Sequence, residues 1–246
     1  MGLGVCLDAL NTAGTPSIEE LRASGADGAR LVAFRDWWVY DYHNALKADG
    51  LRTAVVLARE SFPDQDYRKW CATYANHLQP DYWVIGNEPD AYLLGVPSPS
   101  SWSMQPPVYA ALWEACAAGI RDVQPAAKLV VGGLVSGQPS WLEELLPLDP
   151  APYGVDVHCY AKTSKEARSL LRAYAAVLPG VDLLVLEWNR PPDEIEAYAA
   201  MLAETVEWSC FFAWHDVDGL GLHDTNGDPK AEYDAFKAAT GGRIVP

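Results

Sequence analysis

The chain has 246 residues, half of them hydrophobic, and carries a formal net charge of −15 at pH 7. This length allows one large domain with a sizeable core. The strong negative charge argues against nucleic acid and anionic membrane surfaces as partners. Charges interrupt every apolar run, so the sequence predicts no transmembrane span. We expect a single catalytic domain over residues 1–246, acting as a monomer.

The first residues enter an apolar run without the basic segment and cleavage site of a secretion signal. We therefore expect no secretion signal in this sequence, and the localisation stays open between secretion and the cytoplasm. The five cysteines are scattered among apolar neighbours at no metal-binding spacing. This pattern predicts buried free thiols.

Eight short apolar runs recur along the chain, and most are separated by helical patterns. The predicted strands are 3–9, 29–34, 52–58, 82–86, 128–133, 153–158, 182–187 and 209–214. Strands that alternate with helices form parallel sheets, and eight of them in this length favour a closed barrel. No glycine-rich phosphate loop opens a helix, which weighs against a Rossmann enzyme. The predicted fold class is α/β, as a single (β/α)8 TIM barrel.

Several predicted helices have clear start or stop signals. Ser17 with Glu20 and Thr163 with Glu166 each fit a capping box. Gly50 fits the left-handed residue that ends a helix. The other predicted helices cover 41–49, 67–78, 107–123, 232–239 and a short segment at 141–146, and a further one starts near the prolines at 191 and 192.

Two of the predicted strands end in a carboxylate. The fourth runs into Asn87, Glu88 and Pro89, and the seventh ends at Glu187. Pro89 is expected to push Glu88 towards extended backbone. The C-terminal strand ends carry the site of such a barrel, so the two glutamates should face one another across its mouth. Double-displacement glycoside chemistry requires such a pair, because one carboxylic acid protonates the leaving oxygen while the other carboxylate attacks the anomeric carbon.

Polar and aromatic residues at other strand ends extend the candidate site. Asp8 belongs to the first strand, Arg30 lies on the second, and His158 and Tyr160 point the same way from the sixth. An indole can stack on the apolar face of a sugar ring, although a tryptophan here can also simply close the barrel top. The tryptophans that follow strand ends are Trp37, Trp38, Trp102, Trp188 and Trp214.

A histidine and acid cluster after the eighth strand raises the question of a metal. The spacing of His215, Asp216, Asp218, His223 and Asp224 fits neither an H-E-x-x-H site nor an EF-hand loop. We predict no metal and no other cofactor. No G-x-S-x-G elbow is present, which disfavours an α/β-hydrolase.

At these residues the chain resembles the clan A retaining glycoside hydrolases. These enzymes are (β/α)8 barrels with the acid/base glutamate after strand four and the nucleophile glutamate after strand seven. The resemblance runs over almost the whole chain through short motifs. They are Asn87-Glu88-Pro89, Leu186-Glu187-Trp188, His158-Cys159-Tyr160, Arg30 on strand two and Trp214 on strand eight.

The resemblance implies a role for each residue. Glu88 would be the acid/base and Glu187 the nucleophile. Asn87 would bind the sugar 2-hydroxyl, Tyr160 would orient Glu187, and Arg30 would keep Glu187 ionised. We also expect a raised pKa for Glu88, so that it is protonated at the start of the reaction.

The substrate stays open at the level of the sequence. Many clan members have tryptophan where this chain has Gly86; the local sequence is similar to glucuronidase-like members, whereas the small barrel is similar to compact endo-β-1,3-glucanases. We expect loops 89–106 and 215–230 to wall a groove for an oligo- or polysaccharide that is cut internally. Two alternatives remain: an inactive carbohydrate-binding protein on this scaffold, and a metal-dependent barrel hydrolase.

Overall fold

The structure, a computed structural model, is a closed barrel of eight parallel strands in sequence order, and it confirms the predicted fold class. It describes residues 2–7, 15–33, 37–58, 61–62, 64–95, 103–148, 150–215 and 220–241, without the side chains of residues 37 and 38. The strands are β1 Leu3–Cys6, β2 Gly28–Val32, β3 Arg52–Leu57, β4 Tyr82–Ile85, β5 Leu129–Leu134, β6 Gly154–Val157, β7 Asp182–Trp188 and β8 Trp208–Phe211.

The helices follow the strands around the outside of the barrel. They are α1 Ile18–Ser24, α2 Trp37–Ala48, α3 Tyr67–His77, α4 Pro106–Val123, α5 Ser140–Leu145, α6 Ser164–Val177, α7 Pro192–Ala203 and α8 Ala231–Ala239. Short 3-10 turns cover Ala91–Leu94 and Leu146–Leu148. Among the described residues, no helix is both long enough and apolar enough to cross a membrane.

The helix signals in the sequence match the structure. Ser17 and Thr163 each form the predicted capping box, and Gly50 has a left-handed φ of 75°. The second helix differs, because it begins at Trp37, four residues before the predicted start. The prediction missed this start, although Asp36, a residue type that is preferred just before a helix, directly precedes Trp37 in the sequence.

Alternation along the strands divides the core into two layers. Trp83 of β4 packs outward in the layer between barrel and helices, while Tyr82 and Val84 fill the barrel interior. The interior cluster also holds valine and alanine side chains from β2, β3 and β5. Layers of branched side chains fill the interior of such barrels. All five cysteines are buried and free, as the sequence predicted.

A polar cluster around Glu207 lies at the N-terminal end of the barrel. Oε1 of Glu207 accepts hydrogen bonds from the hydroxyls of Tyr82 (2.9 Å) and Tyr153 (3.1 Å). Lys128 reaches the same oxygen at 3.7 Å and lies over the rings of both tyrosines. This cluster is tied to the packing of the barrel floor, at the end opposite the predicted site.

Candidate active site

The chain turns sharply where β4 ends. Gly86 has a φ of 88°, and Glu88 has a φ of 53°. The expectation of extended backbone at Glu88 is therefore wrong, although Pro89 does follow it. The backbone N–H of Glu88 donates to the carbonyl of Gly133 on β5 at 3.1 Å, and this bond holds the left-handed turn. A left-handed glutamate is uncommon, and such outliers cluster at functional sites.

The turn brings Glu88 next to Glu187. One carboxylate oxygen of each lies within 4.8 Å of the other, and both lie within that distance of a nitrogen of His158. Glu187, on β7, is 7% exposed, whereas Glu88 is half-buried. The pair therefore lies at the barrel mouth, and the Glu187 carboxylate is more deeply buried than that of Glu88.

Arg30 and Tyr160 hold Glu187 from two sides. Nη2 of Arg30, on β2, lies 2.8 Å from Oε1 of Glu187, and both side chains are almost fully buried. The Tyr160 hydroxyl donates to Oε2 at 2.9 Å. Burial raises the pKa of Tyr160, so this hydroxyl keeps its proton and remains a donor. These contacts fix the position of the Glu187 carboxyl group.

Arg30 also fixes Asn87. The same Nη2 donates to Oδ1 of Asn87 at 2.7 Å. The amide oxygen thus faces the barrel floor, which turns the amide nitrogen away from the guanidinium. Asn87 is half-buried, so this side chain borders the open end of the barrel.

His158 lies between the two glutamates. Its Nδ1 is 3.3 Å from Oε1 of Glu88 and 3.2 Å from Oε2 of Glu187. Burial alone lowers the pKa of His158, but the charge of Glu187 and the contacts with Asp156 and Glu88 raise that pKa to about 10. The ring is therefore an imidazolium at neutral pH, and its Nδ1–H is shared by both carboxylates.

This imidazolium changes the expectation for Glu88. Partial burial raises the pKa of Glu88, but the His158 hydrogen bond and the charges of His158 and Arg30 outweigh it, so that the pKa of Glu88 is lowered. The sequence predicted a raised pKa, which is wrong for the free protein. The sequence predicted that Glu88 follows a strand, but it could not predict the contact between Glu88 and the protonated His158.

The same cluster is the one group among the described residues whose ligand atoms converge closely enough to hold a metal ion. The groups that already contact these residues argue against a metal ion at this site. The Nδ1 of His158 carries a proton, and the guanidinium of Arg30 already occupies Glu187. A divalent cation would have to displace both positive groups from the carboxylates.

Two tryptophans of the predicted site lie away from the glutamates. Trp188 is fully buried and stacks on Tyr198 of α7, because alternation turns it outward when Glu187 points inward. Trp214 is 4% exposed and packs against His223 and Tyr233 in the layer that includes α8. Both side chains pack in the layer between barrel and helices.

Other predicted residues fall outside the part that the structure describes. These are Asp8, the side chains of Trp37 and Trp38, Trp102, Asp216 and Asp218. Asp90, expected on the groove wall, is instead fully buried and accepts the backbone N–H groups of Val135 and Ser136 at 2.9 Å. It ties the loop after β4 to the loop after β5.

Three residues of the site were missed in the sequence. Asp156 is fully buried, two positions before His158 on the same face of β6. Sγ of Cys6 accepts from Nη1 of Arg30 at 3.0 Å. Gly133 has a φ of 55°, and a Cβ there would lie 2.8 Å from His158. The two-residue spacing from Asp156 to His158 was a usable signal, since both side chains must enter the barrel.

The fold is shared with glycosidases of known structure. A glucosidase from Croceicoccus marinus matches 97% of this chain at TM-score 0.73 and 16% identity. A β-xylosidase from Caulobacter crescentus matches 96% at TM-score 0.73 and 15% identity. An endo-β-1,3-glucanase from Amycolatopsis mediterranei, solved with laminaripentaose, matches 97% at TM-score 0.70 and 16% identity.

The lengths of these proteins differ. This chain covers 66% of the glucosidase, 67% of the xylosidase and 99% of the glucanase. No protein-family model and no curated protein sequence matches the chain. At these identities the similarity establishes the (β/α)8 barrel architecture that these enzymes have in common.

Proposed function

We propose that the protein is a retaining β-glycosidase that hydrolyses an oligo- or polysaccharide by double displacement. The observation that supports this proposal is the pair Glu88 and Glu187, in which one carboxylate oxygen of each residue lies within 4.8 Å of one oxygen of the other. Retaining enzymes hold their carboxyl groups about 5–5.5 Å apart, and inverting enzymes about 6.5–9.5 Å apart. The spacing in this site supports the retaining mechanism.

Glu187 is the nucleophile in this proposal. Arg30 and Tyr160 hold its carboxyl group from two sides and leave little freedom of rotation, so that one oxygen is presented to the anomeric carbon. Attack forms a glycosyl ester on Glu187 as the glycosidic bond breaks. The leaving oxygen takes a proton from Glu88 in the same step.

Glu88 is the acid and then the base. It is the more exposed of the two carboxyl groups, and a bound sugar would cover it. Loss of water raises the pKa of a carboxyl group, and this gives Glu88 the proton that the free protein disfavours. In the second step Glu88 takes a proton from water, and that water releases the sugar from Glu187. Asn87, fixed by Arg30, is placed to bind the sugar 2-hydroxyl.

The substrate that we propose is a polysaccharide cut internally, with β-1,3-glucan as the first to test. The glucanase with bound laminaripentaose has nearly the same length as this chain, whereas the glucosidase and the xylosidase are longer. The strong negative charge disfavours heavily sulfated chains, which would be repelled.

The test is a polysaccharide screen with product analysis. The wild-type protein and Glu187→Ala are incubated with β-1,3-glucan, xylan and aryl β-glycosides. Glu207→Gln is the matched control, because Glu207 is a carboxylate at the opposite barrel end. We expect oligosaccharides from the wild type and from the control, and none from Glu187→Ala.

Three outcomes would oppose parts of the proposal. Monosaccharide as the sole early product would exclude the endo mode. Binding of a polysaccharide without turnover would indicate a carbohydrate-binding protein on this scaffold. Activity that a chelator abolishes would indicate a metal-dependent hydrolase.

A further inference from the structure

Asp156 is a fully buried carboxylate that the proposed reaction leaves unused. It belongs to β6, and its Oδ1 accepts the backbone N–H of Leu186 on β7 at 2.8 Å. Its Oδ2 makes no hydrogen bond within the described part of the chain and lies 3.6 Å from Nε2 of His158. Nε2 of His158 likewise has no hydrogen-bond partner in the described residues. The two atoms therefore face each other in a closed space.

If the His158 ring were neutral, the negative charges around it would outnumber the positive ones. Three carboxyl groups face His158, and Arg30 of β2 supplies one fixed positive charge. Tyr160, which follows β6, also borders the ring in an edge contact at 6.4 Å between centroids. The carboxyl groups are Glu88 after β4, Asp156 on β6 and Glu187 on β7, and the thiols of Cys6 on β1 and Cys210 on β8 lie near Arg30 and Asp156.

We propose that Asp156 is a positioning residue whose carboxylate fixes the ring of His158 and retains the proton on Nε2, so that His158 serves both glutamates as a permanent cation. The importance of this for catalysis rests on the proposed roles of Glu88 and Glu187. Burying unpaired charge is costly, and an imidazolium between carboxylates reduces that cost.

The arrangement pairs two of the three carboxyl groups with one cation each. Arg30 pairs with Glu187, and the imidazolium of His158 pairs with Asp156 through Nε2. Glu88 is then the carboxyl group left over, and a proton on it makes the whole cluster neutral. A neutral cluster under a bound sugar is the state from which Glu88 can donate its proton.

The test measures the protonation of the His158 ring directly. The imidazole nitrogen resonances of the full-length protein are followed by NMR from about pH 6 to pH 10, and His158→Gln identifies the signals. In the wild type we expect both nitrogens to stay protonated well above pH 7, in line with a pKa of about 10. In Asp156→Asn the midpoint should fall by about 1–3 units, because an opposite charge near a group shifts its pKa by that much.

Asp27→Asn is the matched control. Asp27 is an aspartate near the N-terminal end of the barrel, where it accepts from Nε1 of Trp208 at 2.9 Å. Its replacement should leave the titration of His158 unchanged. A purely structural role for Asp156 would lower the thermal stability of Asp156→Asn and leave that titration where it is in the wild type.

Two results would overturn the proposal: a neutral His158 ring in the wild type at neutral pH, or the same midpoint in the wild type and Asp156→Asn. If Asp156→Asn does not fold, the wild-type titration decides alone. The readout needs no turnover, so it stands apart from the polysaccharide screen. Failure of the screen would oppose the glycosidase proposal and leave the proposal for Asp156 intact.

Discussion

The two ends of the barrel each hold a carboxylate cluster, and the two clusters are built differently. At the N-terminal end, Glu207 accepts from two neutral tyrosine hydroxyls, and the side chain of its cation, Lys128, is 42% exposed. Water can therefore solvate part of that cluster. An ion pair that is this exposed contributes little to stability.

At the C-terminal end, the carboxylates are crowded and their cations are buried. Glu88 and Glu187 share one N–H of His158, and Arg30 is 2% exposed. The carboxylates at this end therefore interact strongly with buried cations. Glu88, which is half-buried, also remains open to solvent. The comparison separates a carboxylate that supports the fold from a pair that is arranged for chemistry.

The largest difference between the two ends should appear in activity. Glu187→Gln cannot form the glycosyl ester, so we expect turnover on every substrate to fall by about 10⁴-fold or more. Glu207→Gln should stay within about threefold of the wild type, because it lies at the far end. Initial rates on the substrate found in the screen, with circular dichroism to check folding, measure both. Comparable losses in the two variants would remove the distinction.

The two glutamates of the open end should also differ from each other. Glu88→Ala loses the acid, but a dinitrophenyl leaving group needs little protonation, so the first step should survive. We then expect slow release of the sugar and its acceleration by azide, which can reach the anomeric carbon where Glu88 stood. Stopped-flow and steady-state rates on a dinitrophenyl glycoside test this. Equal losses in Glu88→Ala and Glu187→Gln, with no azide effect, would contradict the assigned roles.

The two ends should respond differently to removal of a cation. Arg30→Met removes the guanidinium that pairs with the buried Glu187. We therefore expect the free energy of unfolding to fall by about 3–5 kcal/mol. Lys128→Ala removes a cation whose side chain is 42% exposed, and here we expect a loss below about 1 kcal/mol. Urea unfolding of both variants gives the two values. A larger loss in Lys128→Ala would reverse the comparison.

The open end should also give the stability of the protein a pH dependence. The pKa of His158 rises from 6.5 in the unfolded chain to about 10 in the folded protein. A raised folded pKa stabilises fully below the unfolded value, and the benefit is lost as the pH rises towards the folded value. We therefore expect the unfolding free energy to decline from about pH 6.5 to pH 10, more steeply in the wild type than in His158→Gln. Parallel curves would show that His158 does not carry the proton.

Most of the architecture could be predicted from the sequence, because strand periodicity and helix caps are local. The eight apolar runs gave all eight strands, and the capping boxes at Ser17 and Thr163 formed as expected. Strand alternation also placed Trp83 outside and Val84 inside the barrel. The start of α2 was missed, although Asp36 directly before Trp37 is a usable capping signal in the sequence.

The candidate site was predictable only where it depends on strand ends. Barrel closure itself brings Arg30, Glu88, His158, Tyr160 and Glu187 together, since each lies on or directly after a strand. The ionisation of the site depends on contacts between residues far apart in the chain, and no local pattern encodes these. For that reason the cation against Glu88 was not foreseen. Asp156 and Trp188 show the value of strict alternation, which assigns one to the interior and the other to the helix layer.

The central claim is that Glu187 forms a covalent bond to the sugar during turnover. The most direct measurement is intact-protein and peptide mass spectrometry after reaction with aryl glycosides whose ring fluorine slows the second step. We expect one added glycosyl group, located on the peptide that contains Glu187, and no adduct in Glu187→Gln. An adduct on a different residue would contradict the claim, and so would the lack of any adduct with a glycoside that the wild-type protein hydrolyses.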